Sequence, residues 1–210
     1  MAKEKPVAKS KSRRGGSPTF TEQARRTQIV TAAAALFMEQ GFANTSMDQI
    51  ASRVGVSRGV LFYYFDGKAE IGEHTLRLAV RAYSDYVRDR VERRRTARGK
   101  LREFSDACLD YQAEHPDLYI AFVELIGCLG ENEEKFRLTQ SLNQRTRSQL
   151  VAIIQGGINS GELANVDASA LADILQGFVD GMMEMIAMEP GAVSLPTTKR
   201  LWHRMLDSVL

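Results

Sequence analysis

The sequence predicts an all-α fold, and three observations carry that expectation. Apolar residues recur at helical spacing along most of the chain, and glycines and prolines fall at the ends of those stretches. No segment alternates with the period of two that a half-buried strand requires. At 210 residues, with 44% apolar and 26% charged side chains, the chain has ordinary composition for one or two packed cores.

Residues 1–18 combine Lys, Arg, Ser, Gly and Pro with almost no large apolar side chain. They cannot bury enough surface to offset the cost of ordering, so a disordered basic tail is expected. Thr21 is expected to cap a helix over 22–40, with Ile29, Ala33, Leu36 and Phe37 on one face and Gly41 as the stop.

The stretch 45–68, TSMDQIASRVGVSRGVLFYYFDGK, organises the rest. Thr45 can cap a short helix with Asp48 reaching back, Ile50, Ala51 and Val54 follow at helical spacing, and Gly55 offers the left-handed residue that ends it. Ser57 can cap a second short helix whose first turn holds Arg58 and Gly59. Two short helices joined by a tight glycine turn make a helix-turn-helix, the form that places its second helix in a DNA major groove. Gly59 would let the backbone approach DNA, and Arg58 could donate either to a guanine edge or to a phosphate. The residues expected to touch DNA are Thr45, Ser46, Ser57, Arg58, Gly59, Val60, Tyr63, Tyr64 and Lys68. Tyr63, Tyr64 and Lys68 carry donors suited to phosphate oxygens.

Ser57, Gly59, Leu61, Tyr64, Phe65 and Lys68, with Ala51, Gly55 and Val56 upstream, resemble the DNA-binding segment of the tetracycline-repressor (TetR) family, whose pattern runs roughly S-x-G-T-L-Y-x-Y/H-F-x-x-K. Two positions depart from it: Val60 stands where Thr is frequent and Phe62 where Tyr is frequent. Each loses a hydroxyl, and Val60 offers instead a contact to a thymine methyl. The resemblance implies an N-terminal three-helix DNA-binding domain over 19–67 and a C-terminal helical ligand-binding and dimerisation domain over 68–210. It also implies that the helix expected over 68–94 joins the two.

Charge is distributed to match. Residues 1–68 hold 11 Lys plus Arg against 5 Asp plus Glu, while the remainder holds 17 against 21. The basic end is the one with the helix-turn-helix, which fits an electrostatic footprint on DNA. The tail's Lys3, Lys5, Lys9, Lys11, Arg13 and Arg14 either stay solvated or follow the DNA backbone. Arg25 and Arg26 have the same two options. Residues 88–102 hold eight basic and two acidic residues, read either as a solvated helix end or as a second nucleic-acid patch.

Further helices are expected over 100–114, 116–129, 132–159, 167–188 and 197–209. Phe104, Cys108, Tyr111, Tyr119, Phe122, Ile126, Phe178 and Met182 are available to line a cavity, where TetR relatives bind an effector. They are equally available as core. The helix over 167–188 has two apolar faces, whereas one core needs only one. Leu175, Val179, Met183 and Ile186 on it, with Trp202, Met205, Leu206 and Val209 on the last helix, are therefore expected to form a twofold interface.

His74, His115 and His203 are scattered, and no nucleophile lies in a recognisable turn, so no catalytic role, cofactor or metal is expected. Glu70 and His74, one turn apart, read as a surface pair rather than metal ligands. Cys108 and Cys128 have no metal-ligand or disulfide spacing, and read as inert buried thiols or as a thiol sensor. No apolar run reaches membrane-span length and no export signal is visible, so a cytoplasmic protein is expected. The function expected is that of a dimeric regulator, a repressor released from its double-stranded DNA operator by a small, hydrophobic effector.

Overall fold

The computed structural model describes residues 19–128, 133–189 and 191–210, without the side chains of residues 116, 128, 133–139, 141 and 142. The expected tail at 1–18 lies outside the described residues, as does the Cys128 side chain. Nine helices and no strand occur among the described residues: α1 (Phe20–Gln40), α2 (Met47–Val54), α3 (Arg58–Tyr64), α4 (Lys68–Glu92), α5 (Ala97–Glu114), α6 (Pro116–Cys128), α7 (Glu133–Asn159), α8 (Ala168–Met188) and α9 (Leu195–Val209).

The helix starts follow local hydrogen-bond chemistry. Thr19, not Thr21, caps α1, because Glu22 stands three residues on and completes a capping box with it. Ser46, not Thr45, caps α2 for the same reason, with Gln49 as its reciprocal partner. Asp167 caps α8 by accepting from the backbone N–H groups of Ser169 and Ala170.

Two hydrophobic cores form. The first joins α1, α2, α3 and the beginning of α4 through Ile29, Phe37, Phe42, Ile50, Leu61, Phe65, Ile71 and Leu76. The second gathers α5, α7, α8 and α9 around Leu101, Cys108, Leu150, Ile154, Leu175, Val179 and Trp202, with Val87 from the far half of α4. One residue from beyond α4 enters the first core: Leu125 of α6, which is buried there with Phe122 and Ile126 packed beside it. The contact is close. A Cβ on Gly72 of α4 would lie 2.8 Å from Phe42 Cε2 and 3.0 Å from Leu125 Cδ1.

The basic run at 88–102 divides: Arg88, Arg93 and Arg95 are exposed around the end of α4, as in a solvated helix end, while other members pair with neighbouring helices. Arg90 donates to Glu103 at 2.6 Å and to Asp110 at 2.9 Å, and Arg94 donates to the other Glu103 oxygen at 2.8 Å. Arg98 and Arg102 both bind Asp207 of α9, and Lys199 binds Asp110. Glu103 is buried, so these arginines act as internal ties among α4, α5 and α9, a destination that a charge run in sequence does not reveal.

Candidate nucleic-acid interface

The α2–α3 unit is built from backbone satisfaction outward. Gly55 adopts φ 76°, ψ 36°, the left-handed conformation that closes α2, and Val56 N–H then donates to Ala51 O at 3.0 Å. Ser57 Oγ accepts from Val60 N at 3.4 Å and starts α3. Leu61 is the residue that α3 buries, while Val60, Phe62 and Tyr63 are 37%, 47% and 72% exposed. With Ser57, Arg58 and Gly59 also exposed, α3 presents a continuous outward face of hydroxyl, guanidinium and apolar groups. A Cβ on Gly59 would meet only Ser57 Oγ, at 3.8 Å, so the fold leaves that approach open.

Arg58 Nη1 lies 3.0 Å from Asp48 Oδ2 with both side chains largely exposed, and the guanidinium sits 5.5 Å from the Phe62 ring centroid. An exposed pair of this kind contributes about 0–1 kcal/mol, so Arg58 can exchange it for DNA at little cost. Tyr63 Oη donates to Glu22 Oε1 at 3.4 Å, a long bond that is equally exchangeable. Tyr64 is half-buried against Tyr63, ring edge to face at 5.0 Å.

Two expected DNA contacts are already committed within the fold. Thr45 is buried; its hydroxyl donates to Gly41 O at 2.8 Å and accepts from Gln40 Nε2 at 3.2 Å, which ties down the α1–α2 turn. Lys68 Nζ donates to Phe42 O at 2.8 Å and Ala43 O at 3.2 Å, 4.6 Å from the Phe42 ring centroid. The ammonium satisfies carbonyls in the loop after α1, leaving one proton for anything else.

Arg26 is the residue whose role sequence reading missed. From α1 its guanidinium donates to Tyr64 O, to Glu70 Oε1 at 3.0 Å and to His74 Nε2 at 3.0 Å, and its carbon lies 4.2 Å from the Phe65 ring centroid. Glu70 also accepts from Asp66 N at 2.6 Å. A guanidinium only donates, so His74 Nε2 is the acceptor there. Arg26 thus clamps the end of α3 to the start of α4, and Glu70 with His74 serves that clamp. Among the described residues no group of His, Cys, Asp and Glu is placed to hold a metal.

In the larger core the expected cavity residues disperse. Phe104 and Cys108 are buried in it, and Phe178 stacks on Trp202 with centroids 3.8 Å apart. Phe122 and Ile126 pack against the first core instead. Tyr111 forms edge contacts with Tyr83 at 5.3 Å and Tyr86 at 5.1 Å, while Tyr119 and Met182 are partly buried. Burial pushes the Cys108 thiol up to about 12, and beside it burial carries Tyr83 well above its ordinary range. A neutral, enclosed thiol is a poor nucleophile, so Cys108 does not fit a sensor. A shallow open groove lies elsewhere, between α7 and α8, where Gln140, Asn143 and Gln144 face Gln176, Gly177 and Asp180.

The residues expected at a twofold interface also divide. Leu175 and Val179 are 0% exposed, and Ile186, Trp202 and Leu206 are buried as well, in the protomer's own core. They have almost no area left for a partner. Met183 is partly buried, with Tyr83 Oη donating to its sulfur at 3.7 Å. Met205 and Val209 remain exposed, joined by Ile174, Met185, Met188 and Leu201. The exposed apolar residues of α8 and α9 therefore coincide with the expected set only at Met205 and Val209.

Comparison with known proteins agrees with this architecture. Residues 29–74 match the family described as "Bacterial regulatory proteins, tetR family", and residues 97–210 match "BetI-type transcriptional repressor, C-terminal". The HTH-type transcriptional regulator BetI of Yersinia pestis is 26% identical over 155 residues, 73% of this chain and 78% of that protein. A TetR transcription regulator from Haloarcula marismortui superimposes with a TM-score of 0.79 at 24% identity, covering 90% of this chain and 99% of its own. The transcriptional regulator FadR from Bacillus subtilis, crystallised with stearoyl-CoA, does so with a TM-score of 0.70 at 20% identity, covering 88% and 98%. With α3 presented outward on a helix-turn-helix and a helical C-terminal region of BetI type behind it, the chain belongs to the TetR family of DNA-binding transcriptional regulators.

Proposed function

We propose that the protein is a cytoplasmic repressor that binds a pseudo-palindromic operator as a homodimer and is released by a small, largely apolar effector. The observation that carries the reading is Leu125. A residue of α6 sits inside the core that supports the recognition helix, against Gly72 and Phe42. Close-packed contacts transmit displacement because there is no void to absorb it. A ligand that moves α6 therefore moves α4 and α1, and with them the Arg26 clamp on α3.

Dimerisation is required by the reading chemistry, since one recognition helix spans few base pairs and two related by a twofold axis read half-sites about 34–36 Å apart. The exposed Ile174, Met185, Leu201, Met205 and Val209 on α8 and α9 supply the face for that partner. Ser57, Arg58, Gly59, Val60 and Tyr63 read or grip DNA, with Ser46 at the α2 N-terminus placed for a phosphate. To change operator occupancy from 99:1 to 1:99, the effector must favour the released conformation by about 5.5 kcal/mol. The co-crystallised acyl-CoA of the FadR neighbour supports an effector with a long apolar part.

The test is fluorescence anisotropy of the full chain on fragments tiling its own promoter, at fixed salt, with and without apolar and cationic compounds. A sequence-selective complex dissolved by one compound class supports the reading. Sequence-blind, purely salt-sensitive binding points to an architectural protein, and a selective complex indifferent to every compound removes the effector.

A further inference from the structure

The outer face of α3 carries an arginine whose direction is set by two neighbours. Arg58 opens the helix, Phe62 stands one turn on, and Asp48 comes from the first turn of α2. Arg58 Nη1 donates to Asp48 Oδ2 at 3.0 Å, and the guanidinium carbon lies 5.5 Å from the Phe62 ring centroid. Among the described residues no acceptor engages Nε or Nη2 of Arg58, and no cation other than Arg58 pairs with Asp48. Phe62 lacks the hydroxyl frequent at its position in the family pattern and gives Arg58 an aromatic surface instead.

The carboxylate decides between the two acceptors open to Arg58. A pair this exposed is weak, so its strength in the free protein does not hold the guanidinium in place. The cost of leaving arises when DNA docks. Asp48 is 65% exposed and stands two residues after Ser46, where a phosphate is placed above. If Arg58 moved its fork onto a phosphate, Asp48 would be left uncompensated against a polyanion, and like charges brought together repel. A base edge asks for no such exchange. It is neutral, and guanine presents O6 and N7 as two adjacent acceptors. With Nη1 on Asp48, the Nε–Nη2 edge of the guanidinium still offers two parallel N–H groups in the geometry that pair accepts.

We infer that Arg58 reads a guanine in each half-site through O6 and N7, and that Asp48 is the positioning residue that keeps the guanidinium on the base and off the backbone, with Phe62 as its shelf. The inference rests on the operator reading above and names one base of that operator.

The test is selection by the full-length protein from duplexes with a randomised centre of about 20 bp, enough for two half-sites one helical turn apart, followed by anisotropy on the enriched duplex. The motif is expected to hold one guanine per half-site whose replacement by any other base weakens binding by about tenfold. 7-Deazaguanine at that position keeps the base pair and every phosphate but lacks the N7 acceptor; it should weaken the parent several-fold and leave Arg58→Ala unaffected. Asp48→Ala should flatten the preference at that base and no other, and steepen the salt dependence by about one ion as Arg58 turns to a phosphate. Thermal melting of both variants reports whether they remain folded. Arg58→Ala weakening every sequence equally, with the salt slope lower by about one ion, would make Arg58 a phosphate contact and overturn the inference. An unchanged guanine preference in Asp48→Ala, or a preference lost at a different base, overturns the positioning role. A selective motif without an Arg58-dependent guanine removes this inference alone, whereas no enriched sequence at all removes the operator reading and this inference with it.

Discussion

Lys68→Ala distinguishes a residue that holds the fold from one that grips DNA. The family pattern places a lysine here, and its ammonium would suit a phosphate. The structure spends it on Phe42 O at 2.8 Å and Ala43 O at 3.2 Å, with the Phe42 ring centroid at 4.6 Å. A hydrogen bond involving a charged group contributes about 1.5–3 kcal/mol net, and a half-buried side chain belongs at the lower end. The longer, exposed bond to Ala43 adds less, and the ring contact adds about 0.5–1 kcal/mol. Together Lys68 supplies about 2–3 kcal/mol. For a chain of this length each 1 kcal/mol shifts the midpoint by about 2–4 °C, so the variant should melt about 5–10 °C lower at fixed protein concentration. The companion assay is operator affinity against salt, where loss of a phosphate contact lowers the slope by about one ion. A slope lower by that amount with an unchanged melting midpoint would refute the structural assignment.

Gly59→Leu should fold normally, because a Cβ there meets only Ser57 Oγ at 3.8 Å; operator binding should nonetheless be lost, and retained affinity in anisotropy would mean that α3 does not face DNA as assigned. Ile174→Asp and Met205→Asp should dissociate the proposed dimer with little effect on protomer stability, since these residues are 60% and 62% exposed; sedimentation showing intact dimers at low micromolar concentration would remove α8 and α9 from the interface. Asp180 sets a pH dependence of known sign. Its carboxyl is raised in the folded state by burial, so the folded chain holds that proton more tightly and stability falls as pH rises from the unfolded carboxylate value through the folded one. Asp180→Asn should therefore melt higher than the parent at pH 7, with the gain gone below about pH 4 where both states are protonated; a gain that persists in acid would place the cause elsewhere.

What the sequence determined by itself was local. Glycine in a left-handed turn at Gly55, a hydroxyl three residues before a free backbone N–H at Ser57, and apolar spacing of three and four are decided by a few neighbouring residues, so the helix-turn-helix and the succession of helices were legible. Where two hydroxyls lay close together, as at Thr45 and Ser46, the cap was displaced by one residue. The choice depends on Gln49 rather than Asp48 standing at the third helical position, and on the α1 end taking Thr45 inward.

Only tertiary structure decided where long or doubly suited side chains were spent. Lys68 can reach either a phosphate or a carbonyl, and the loop after α1 happens to lie within its span. Arg90, Arg94, Arg98 and Arg102 became ties between helices because Glu103, Asp110 and Asp207 arrive from other helices. Leu175 and Ile174 are adjacent and equally apolar, and nothing in their own helix says which faces inward. The positions of α5 and α7 bury the first and leave the second exposed. Leu125 entered the core beneath the recognition helix for the same reason: an apolar residue goes to whichever surface folding brings against it, and that surface was made by residues of α1 to α4, far earlier in the chain.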